Sequence, residues 1–597
     1  MDPSNEVFSV GGIEVAQKKI SPIDDPHANY NGLDPSSTTL PKGYKKDPSR
    51  RGFEVATIWD RDVEVPMRDG IILRADIFRP ADANEKVPAL IAWGPYGKSG
   101  TGFLGLDLVP GRVGIPKSML SGLESFEAPD PAEWTAHGYA VVNIDARGVF
   151  KSEGNHRWNG TAEGRDGHDA VEFIAGLPWC NGHVALIGVS WLAMAQWYIA
   201  AERPPHLSCI LPLEGLSDMY RESLCRGGVP YLPFWHFLRD HGLYGENLQE
   251  DPIAMLAKYP LMNAYWEDKR AKVDLINVPA YILASMSTGL HTVGSIRGFE
   301  DIPHDKKWLR LHPTQEWHDL YQKETIDDLR KFLDFYTKGI KNDWEETPKA
   351  RVSVIRYNQT PIVNIPFSTW PIPQTQYKTL WLSGEQSLED VPGTAVSGKV
   401  SYQSDAPAEQ IDNDPEFAEF VYSFTEKSTL IGPSRAVIYM SCADHDDMDV
   451  FVIIRKADRN GKVLQNLNIP LDVLGLTSEE EVQDINSLKY IGPSGILRAS
   501  HRTLDPKLSK PHWLAHDHTQ ERKISPGHIV KLEIGMWPAA IQFEAGEKLI
   551  FRVAGHQMTL AEFVPLRGQF HTGNKGKHTL HFGGQYDSHI VVPFVPI

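Results

Sequence analysis

The apolar and polar positions fall into two textures along the chain. In the first, short apolar runs alternate with helix-like stretches. Residues 63–80, VEVPMRDGIILRADIFRP, predict two strands around the turn Arg68-Asp69-Gly70. VPALIAWGPYG, GYAVVNIDARG, HVALIGVS, LSCILPLEG, VPAYILASMS and KKWLRLHP each predict a buried strand, and helical segments such as Gly164–Leu177 and Trp191–Glu202 lie between them. Short apolar strands alternating with helices imply an α/β fold, a parallel sheet covered on both faces.

Between about 218 and 274 the alternation stops. That piece carries Tyr231, Phe234, Trp235, His236, Phe237 and Tyr244 and predicts a helical insertion capping the sheet. Its aromatics either form a small core under the cap or wall a pocket. IDDLRKFLDFYTK then predicts an amphipathic helix, with a domain boundary near 345. Beyond it, period-two alternation with Gly-rich turns predicts an all-β sandwich of jelly-roll type over 346–597. Residues 1–55 are polar and rich in Pro, Gly, Asp and Lys, and predict an extended arm with little structure of its own. The capped α/β domain occupies 56–345.

Composition narrows the function more than the fold. The chain has 597 residues, 41% hydrophobic and 23% charged, which is ordinary globular composition and long enough for more than one domain. A net charge of -17 disfavours nucleic acid or an anionic membrane as partner. Cys180, Cys209, Cys225 and Cys442 form no C-x-x-C pair, so neither a zinc site nor a disulfide framework is indicated. The first residues show no signal-peptide pattern, and no apolar run reaches the roughly 18 residues of a membrane span. The expectation is a cytoplasmic protein acting on a small molecule, with no metal or organic cofactor. Homo-oligomerisation stays open.

The candidate chemistry centres on NGHVALIGVSWLAMAQWYIAAE, Asn181 to Glu202. A strand stops at Gly188, Ser190 stands in a sharp turn, and a helix follows at once. This is the layout of a nucleophile elbow. A serine hydroxyl is a weak nucleophile until a base takes its proton, and it needs donors for the oxyanion it creates. The elbow exposes Oγ and places the Trp191 N–H beside the reacting carbonyl. A structural serine at a strand end is the competing reading.

GPYGKSG (Gly94–Gly100), DARGVFKSEG (Asp145–Gly154), WCNGHVALIGVSWLAMAQW (Trp179–Trp197) and the jelly-roll tail together resemble the CocE/NonD hydrolases, the cocaine esterase and X-Pro dipeptidyl-peptidase group. The resemblance runs in family order over roughly residues 55 to 590. It implies an α/β-hydrolase core with a helical cap insertion and a C-terminal jelly roll. It also implies a serine esterase or acyl hydrolase that works through an acyl-enzyme. The family's elbow reads G-x-S-Y-x-G; here Trp191 stands for Tyr and Ala193 for the second Gly. The family's oxyanion donors are the N–H after the serine and a tyrosine hydroxyl in a P-Y motif, which carry over to Trp191 and Tyr96.

The base and the acid depart from that pattern. The family's aspartate slot falls here on Thr288 or Gly289, and its histidine slot on Glu316. His291 lies just past the empty aspartate slot. The pair is therefore expected to be exchanged, with His291 as base and Glu316 as the carboxylate that orients it; a triad requires geometry, not chain order. His318 or His312, with Asp319 or Glu214 nearby, is the alternative base. A third reading has no working triad and a lyase or cyclase reaction in the same pocket, with Ser190 and His291 as hydrogen-bonding or acid/base groups. Glu316 equally suits a helix cap. Asp145 and Arg147 are expected to tie loops together. The acidic run Asp444–Asp449 lacks the spacing of a calcium loop and, like Ser500–Arg502, is expected to be structural.

Overall fold

A computed structural model describes residues 8–82, 85–357, 359–392, 397–412 and 414–597. Its largest element is an eleven-stranded sheet. In chain order the strands are β1 (Ser36–Leu40), β2 (Thr57–Pro66), β3 (Ile72–Pro80), β4 (Val87–Gly94), β5 (Ala140–Asp145), β6 (Cys180–Val189), β7 (Leu207–Leu213), β8 (Ala280–Ser285), β9 (Lys307–His312), β10 (Ala350–Val354) and β11 (Ile362–Phe367). Their spatial order is β11-β10-β9-β8-β7-β6-β4-β5-β3-β2-β1. The strands from β5 to β10 run parallel in the middle, and antiparallel pairs close both edges. Central strands such as β5 and β8 are buried at every position, which is why they read as unbroken apolar runs.

The register sets the site. Val189 pairs with Leu213, Leu213 with Leu283, and Ser285 with His312. The carboxyl ends of β6, β7, β8 and β9 therefore align along one edge of the sheet. The loops that leave them carry Ser190, Glu214, Thr288–His291 and Glu316. This is where ligands bind in open parallel sheets.

Helices α1 (Pro131–Ala136), α2 (Thr161–Ala175), α3 (Trp191–Ala201), α7 (Thr292–Asp301), α8 (Glu316–Leu320) and α9 (Lys323–Lys338) cover the sheet. Three short helices lie in the insertion, α4 (Pro233–Phe237), α5 (Pro252–Lys258) and α6 (Ala264–Asp268). They are joined by extended pairs and single π turns, so the cap is only partly helical. Pro at the first helical position of each of α4 and α5 starts a helix that soon ends. The cap aromatics are mainly packed, and of those named only Tyr231 lines a crevice among the cavities described. Trp235 packs on Trp158, whereas Tyr231 and Phe237 meet Phe570 and Phe563 of the C-terminal domain.

Two boundaries differ from the expectation. The sheet continues past 345 through β10 and β11, because Ala350 pairs with Leu309 and extends the parallel run. The amino-terminal arm is also more ordered than its composition suggests. Gln17–Lys19 pairs with Leu248–Glu250 of the cap, Ser21–Pro22 with Tyr244–Gly245, and β1 forms one edge of the main sheet. Polar strands with little core of their own are stabilised here by borrowed partners. Residues 1–7 of the arm lie outside the described residues.

The C-terminal domain is two packed sheets. Ser428–Cys442 and Val530–Phe543 are the long strands of one, and Asp449–Ala457 and Lys548–Ala554 the centre of the other. Leu380, Ile438, Val452, Leu532 and Phe551 fill the space between. The acidic run is bound within this domain: Asp449 pairs with Arg498, and Asp447 with Lys523 and the Ser500 N–H. Arg147 forms a bidentate pair with Asp166 and also reaches Asp69, while the buried Asp145 stands apart from it, within the field of Lys98. Among the described residues no helix is long and apolar enough to cross a membrane. All four cysteines are buried and unpaired.

Candidate active site

Ser190 sits between β6 and α3 with φ 56 and ψ -118, a conformation that costs a non-glycine residue about 1–3 kcal/mol. The surroundings hold it there. Its N–H donates to the Glu214 carbonyl at 3.1 Å, and its own carbonyl accepts from Ala193 and Met194. Leu192 wedges into the turn. A Cβ on Gly188 would lie 2.6 Å from the Leu192 Cβ, and one on Gly94 2.5 Å from its Cδ1. The small residue at 193 is explained in the same way, since a Cβ on Gly215 would lie 2.9 Å from the Ala193 Cβ.

Tyr96 is buried two residues after β4, and its hydroxyl faces the Ser190 hydroxyl and the Trp191 N–H. Burial raises its pKa well above the ordinary phenol value, so it stays a proton donor. A phenol O–H and a backbone N–H thus lie together beside the serine, the kind of donors that can hold the oxygen of an acyl group attacked there. The Trp191 ring is anchored by Glu163, whose Oε1 accepts the indole N–H groups of Trp191 at 3.0 Å and Trp93 at 2.9 Å. Sequence reasoning missed Glu163, because an acid in the first turn of a helix reads as a dipole partner.

Three more carboxylates surround the elbow. Glu127 accepts from the Val189 N–H through its carbonyl, and its carboxylate accepts from Trp317 Nε1 at 2.8 Å. Glu214 follows β7. Glu316 opens α8. Tyr96, Phe126 and Trp317 pack in a ring-to-ring chain, at 5.6 and 5.4 Å, which brings the Glu316–Trp317 segment to the Tyr96 side of the elbow. Each of the three carboxylates has a buried oxygen without a hydrogen-bond partner. Burial raises the pKa of all three, Glu127 well above its usual value and Glu316 up to about 7, where Glu214 also contributes. Glu127 and Glu214, like Ser190, have positive φ, at 69 and 60. Strained residues gather where function over-determines the backbone.

The histidines take separate places. His312 has Nε2 2.6 Å from Glu214 Oε1 and Nδ1 3.7 Å from Asp319. Burial works against its charge, but Asp319 and Glu214 outweigh burial and raise its pKa. Asp319 is itself held by a bidentate pair with Arg310. His318 commits Nδ1 to the Val113 carbonyl at 2.8 Å. His291 is buried at the N-cap of α7, and neither ring nitrogen has a hydrogen-bond partner. Burial pushes its pKa down to about 3.

The hydrogen bond expected between His291 and Glu316 is therefore absent. The Thr288 hydroxyl faces the Glu316 carboxyl instead, without a formed hydrogen bond. His291 enters the neighbouring helix as its N-cap, which carries its backbone away with α7 rather than along α8.

This elbow and its tyrosine have relatives. The X-Pro dipeptidyl-peptidase (S15 family) profile matches residues 69–258, and the X-Pro dipeptidyl-peptidase C-terminal non-catalytic domain profile matches 342–591. A CocE/NonD family hydrolase from Staphylococcus aureus is 31% identical, with a TM-score of 0.80 over 91% of this chain and 94% of that one. The chain belongs to the CocE/NonD hydrolase family. It is an α/β-hydrolase-fold serine hydrolase with a β-rich C-terminal domain. Among curated relatives, cocaine esterase from Rhodococcus sp. is 34% identical over 160 residues. A putative serine esterase from Mycobacterium bovis is 28% identical over 253. Those two alignments span 24% and 37% of the relatives' own lengths.

Proposed function

We propose that the protein cleaves, or transfers the acyl group of, an ester or amide of a small apolar or aromatic compound through an acyl-enzyme at Ser190. The observation that carries this reading is the strained serine, with the Tyr96 hydroxyl beside both the Ser190 hydroxyl and the Trp191 N–H. Ser190 Oγ bonds to the acyl carbon while its proton passes to a carboxylate, and the carbonyl oxygen becomes an oxyanion held by Tyr96 and Trp191. The proton then goes to the departing alkoxide or amine, and water repeats the sequence on the acyl-enzyme.

Glu316 is the base in this reading. It fills the position of the family's histidine, it has an uncommitted oxygen, and its pKa near 7 suits proton transfer at neutral pH. His291 remains the second reading, favoured by two ring nitrogens that no protein group occupies. The pair Glu214–His312 acts with Asp319 and Arg310 as a charged brace under the two loops. Nothing at the site favours the lyase or cyclase reading.

A fluorophosphonate probe tests the nucleophile. Labelling confined to Ser190 under native conditions is expected, and a chain that stays unlabelled while it turns over an ester removes the acyl-enzyme.

A further inference from the structure

A cavity of about 430 Å³ opens where the cap, α7 and the C-terminal domain meet. A narrow crevice leads on from it toward Ser287, Thr288 and Gly289, the loop whose Thr288 faces Glu316. The two share Arg226, Trp537 and Pro538, so Arg226 stands at the waist between the cavity and the crevice that ends at the Thr288 loop.

The cationic groups of the cavity are nearly all neutralised. Arg221 pairs with Asp218 at 3.1 Å, Arg297 with Glu222 at 2.9 Å, Lys510 with Glu300 at 2.6 Å, and His512 with Glu300 at 2.7 Å. Arg226 differs. Among the described residues its guanidinium has neither an ion pair nor a hydrogen bond; it lies on the Trp537 ring at 4.4 Å and 5.9 Å from that of Tyr231. Burial lowers its pKa to about 10, which leaves it charged at neutral pH. Glu562, whose field reaches it, accepts from the Tyr231 hydroxyl at 3.0 Å.

The placement is built from both domains. Arg226 ends the first strand of a short hairpin, Cys225–Arg226 against Val229–Pro230, through the turn Gly227-Gly228. A Cβ on Gly227 would lie 1.9 Å from the Ile496 carbonyl, and the Gly227 carbonyl accepts from the Arg498 N–H at 2.8 Å. The hairpin is thus pressed onto the C-terminal domain, and the Trp537 ring lies against the guanidinium. Arg226 is half-buried in the cavity wall and no protein group takes up its N–H groups, and a guanidinium offers paired N–H groups that match a carboxylate.

We propose that Arg226, stacked on Trp537, binds a carboxylate carried by the substrate at the end remote from the acyl group attacked by Ser190. Substrates of this kind are half-esters or half-amides of dicarboxylic acids, or acyl compounds with an anionic tail, long enough to reach from the crevice to the waist. The proposal rests on the serine-hydrolase reading only for the identity of the reacting end.

Two measurements keep the two readings apart. The first compares labelling rates of the full-length protein by fluorophosphonates whose alkyl chains end in a carboxylate or in its methyl ester. Over a series of chain lengths, at least one carboxylate probe should label wild type about tenfold faster than its ester. Arg226→Met should bring that ratio to about one, with Arg226→Lys between. A ratio near one in wild type, or one that survives Arg226→Met in folded protein, overturns the proposal.

The second needs no reaction at Ser190. Glutarate, adipate and suberate should quench tryptophan fluorescence and raise the melting temperature of wild type more than their diamides do. Arg226→Met should abolish that difference, and equal responses in wild type and variant overturn the proposal. A protein that binds the dicarboxylates through Arg226 yet resists both probes keeps this inference and loses the acyl-enzyme.

Discussion

The two halves of the catalytic edge are built differently. On the β4–β6 side, Gly94, Gly188, Leu192 and Ala193 interlock, and each position tolerates little more than the residue present. On the β8–β9 side, the two loops carry Thr288, His291 and Glu316, whose polar atoms are buried but mostly unpaired. Steric fit settles the first half, where few other residues could stand. Charge and hydrogen bonding settle the second, where residues can be exchanged if a base of suitable pKa remains.

The comparison breaks first at the serine. Ser190→Ala should lower kcat/KM by about 10³-fold or more, measured on an ester that wild type turns over. Activity within tenfold of wild type would mean that the rigid half only presents a hydrogen-bonding hydroxyl. Tyr96→Phe comes next, with an expected loss of about 10²–10³ in kcat and little change in KM, because the phenol matters only once the oxyanion forms.

The variable half is sharpened by pH. Glu316 must be ionised to take a proton, so kcat/KM should rise as pH passes through about 7, and Glu316→Gln should remove that limb with a loss of about 10²-fold or more. His291→Ala should then cost less than about tenfold. A profile flat from pH 5 to 8, together with a large His291→Ala defect, transfers the role to His291, whose pKa near 3 leaves it neutral over that range.

The smallest effect is one of stability. Gly188→Ala forces a Cβ against Leu192 at φ 147 and should cost about 1–3 kcal/mol, read from chemical denaturation. An unchanged midpoint would show that the elbow has more slack than its contacts suggest.

Much of the fold was legible. The apolar runs from Val87 to His312 became parallel strands because both faces of the sheet are covered, and the alternation after 370 became sandwich strands because only one face is. β10 and β11 were hidden because ARVSV and IVNIPF are short and broken by Arg, Ser, Asn and Pro, and three of the six positions of β11 are exposed. The order of the arm was hidden because its partners lie more than 200 residues away. At the site, Ser190, Tyr96 and Trp191 were visible as a motif, and the structure brings them together. Glu163 and Glu127 were not, because a buried carboxylate is defined by what surrounds it. The His291–Glu316 pairing failed for the same reason: nearness in a family slot does not give the direction of a ring.

The clasp between the arm and the cap has a practical consequence. Gln17–Lys19 and Ser21–Pro22 complete strand pairs on Tyr244–Glu250, and Lys18 reaches Asp240. A recombinant form that begins at β2 would leave those cap edges as bare templates for a neighbouring molecule. Such a form would be expected to aggregate at concentrations where the full chain stays dispersed, although every residue named at the active site would still be present.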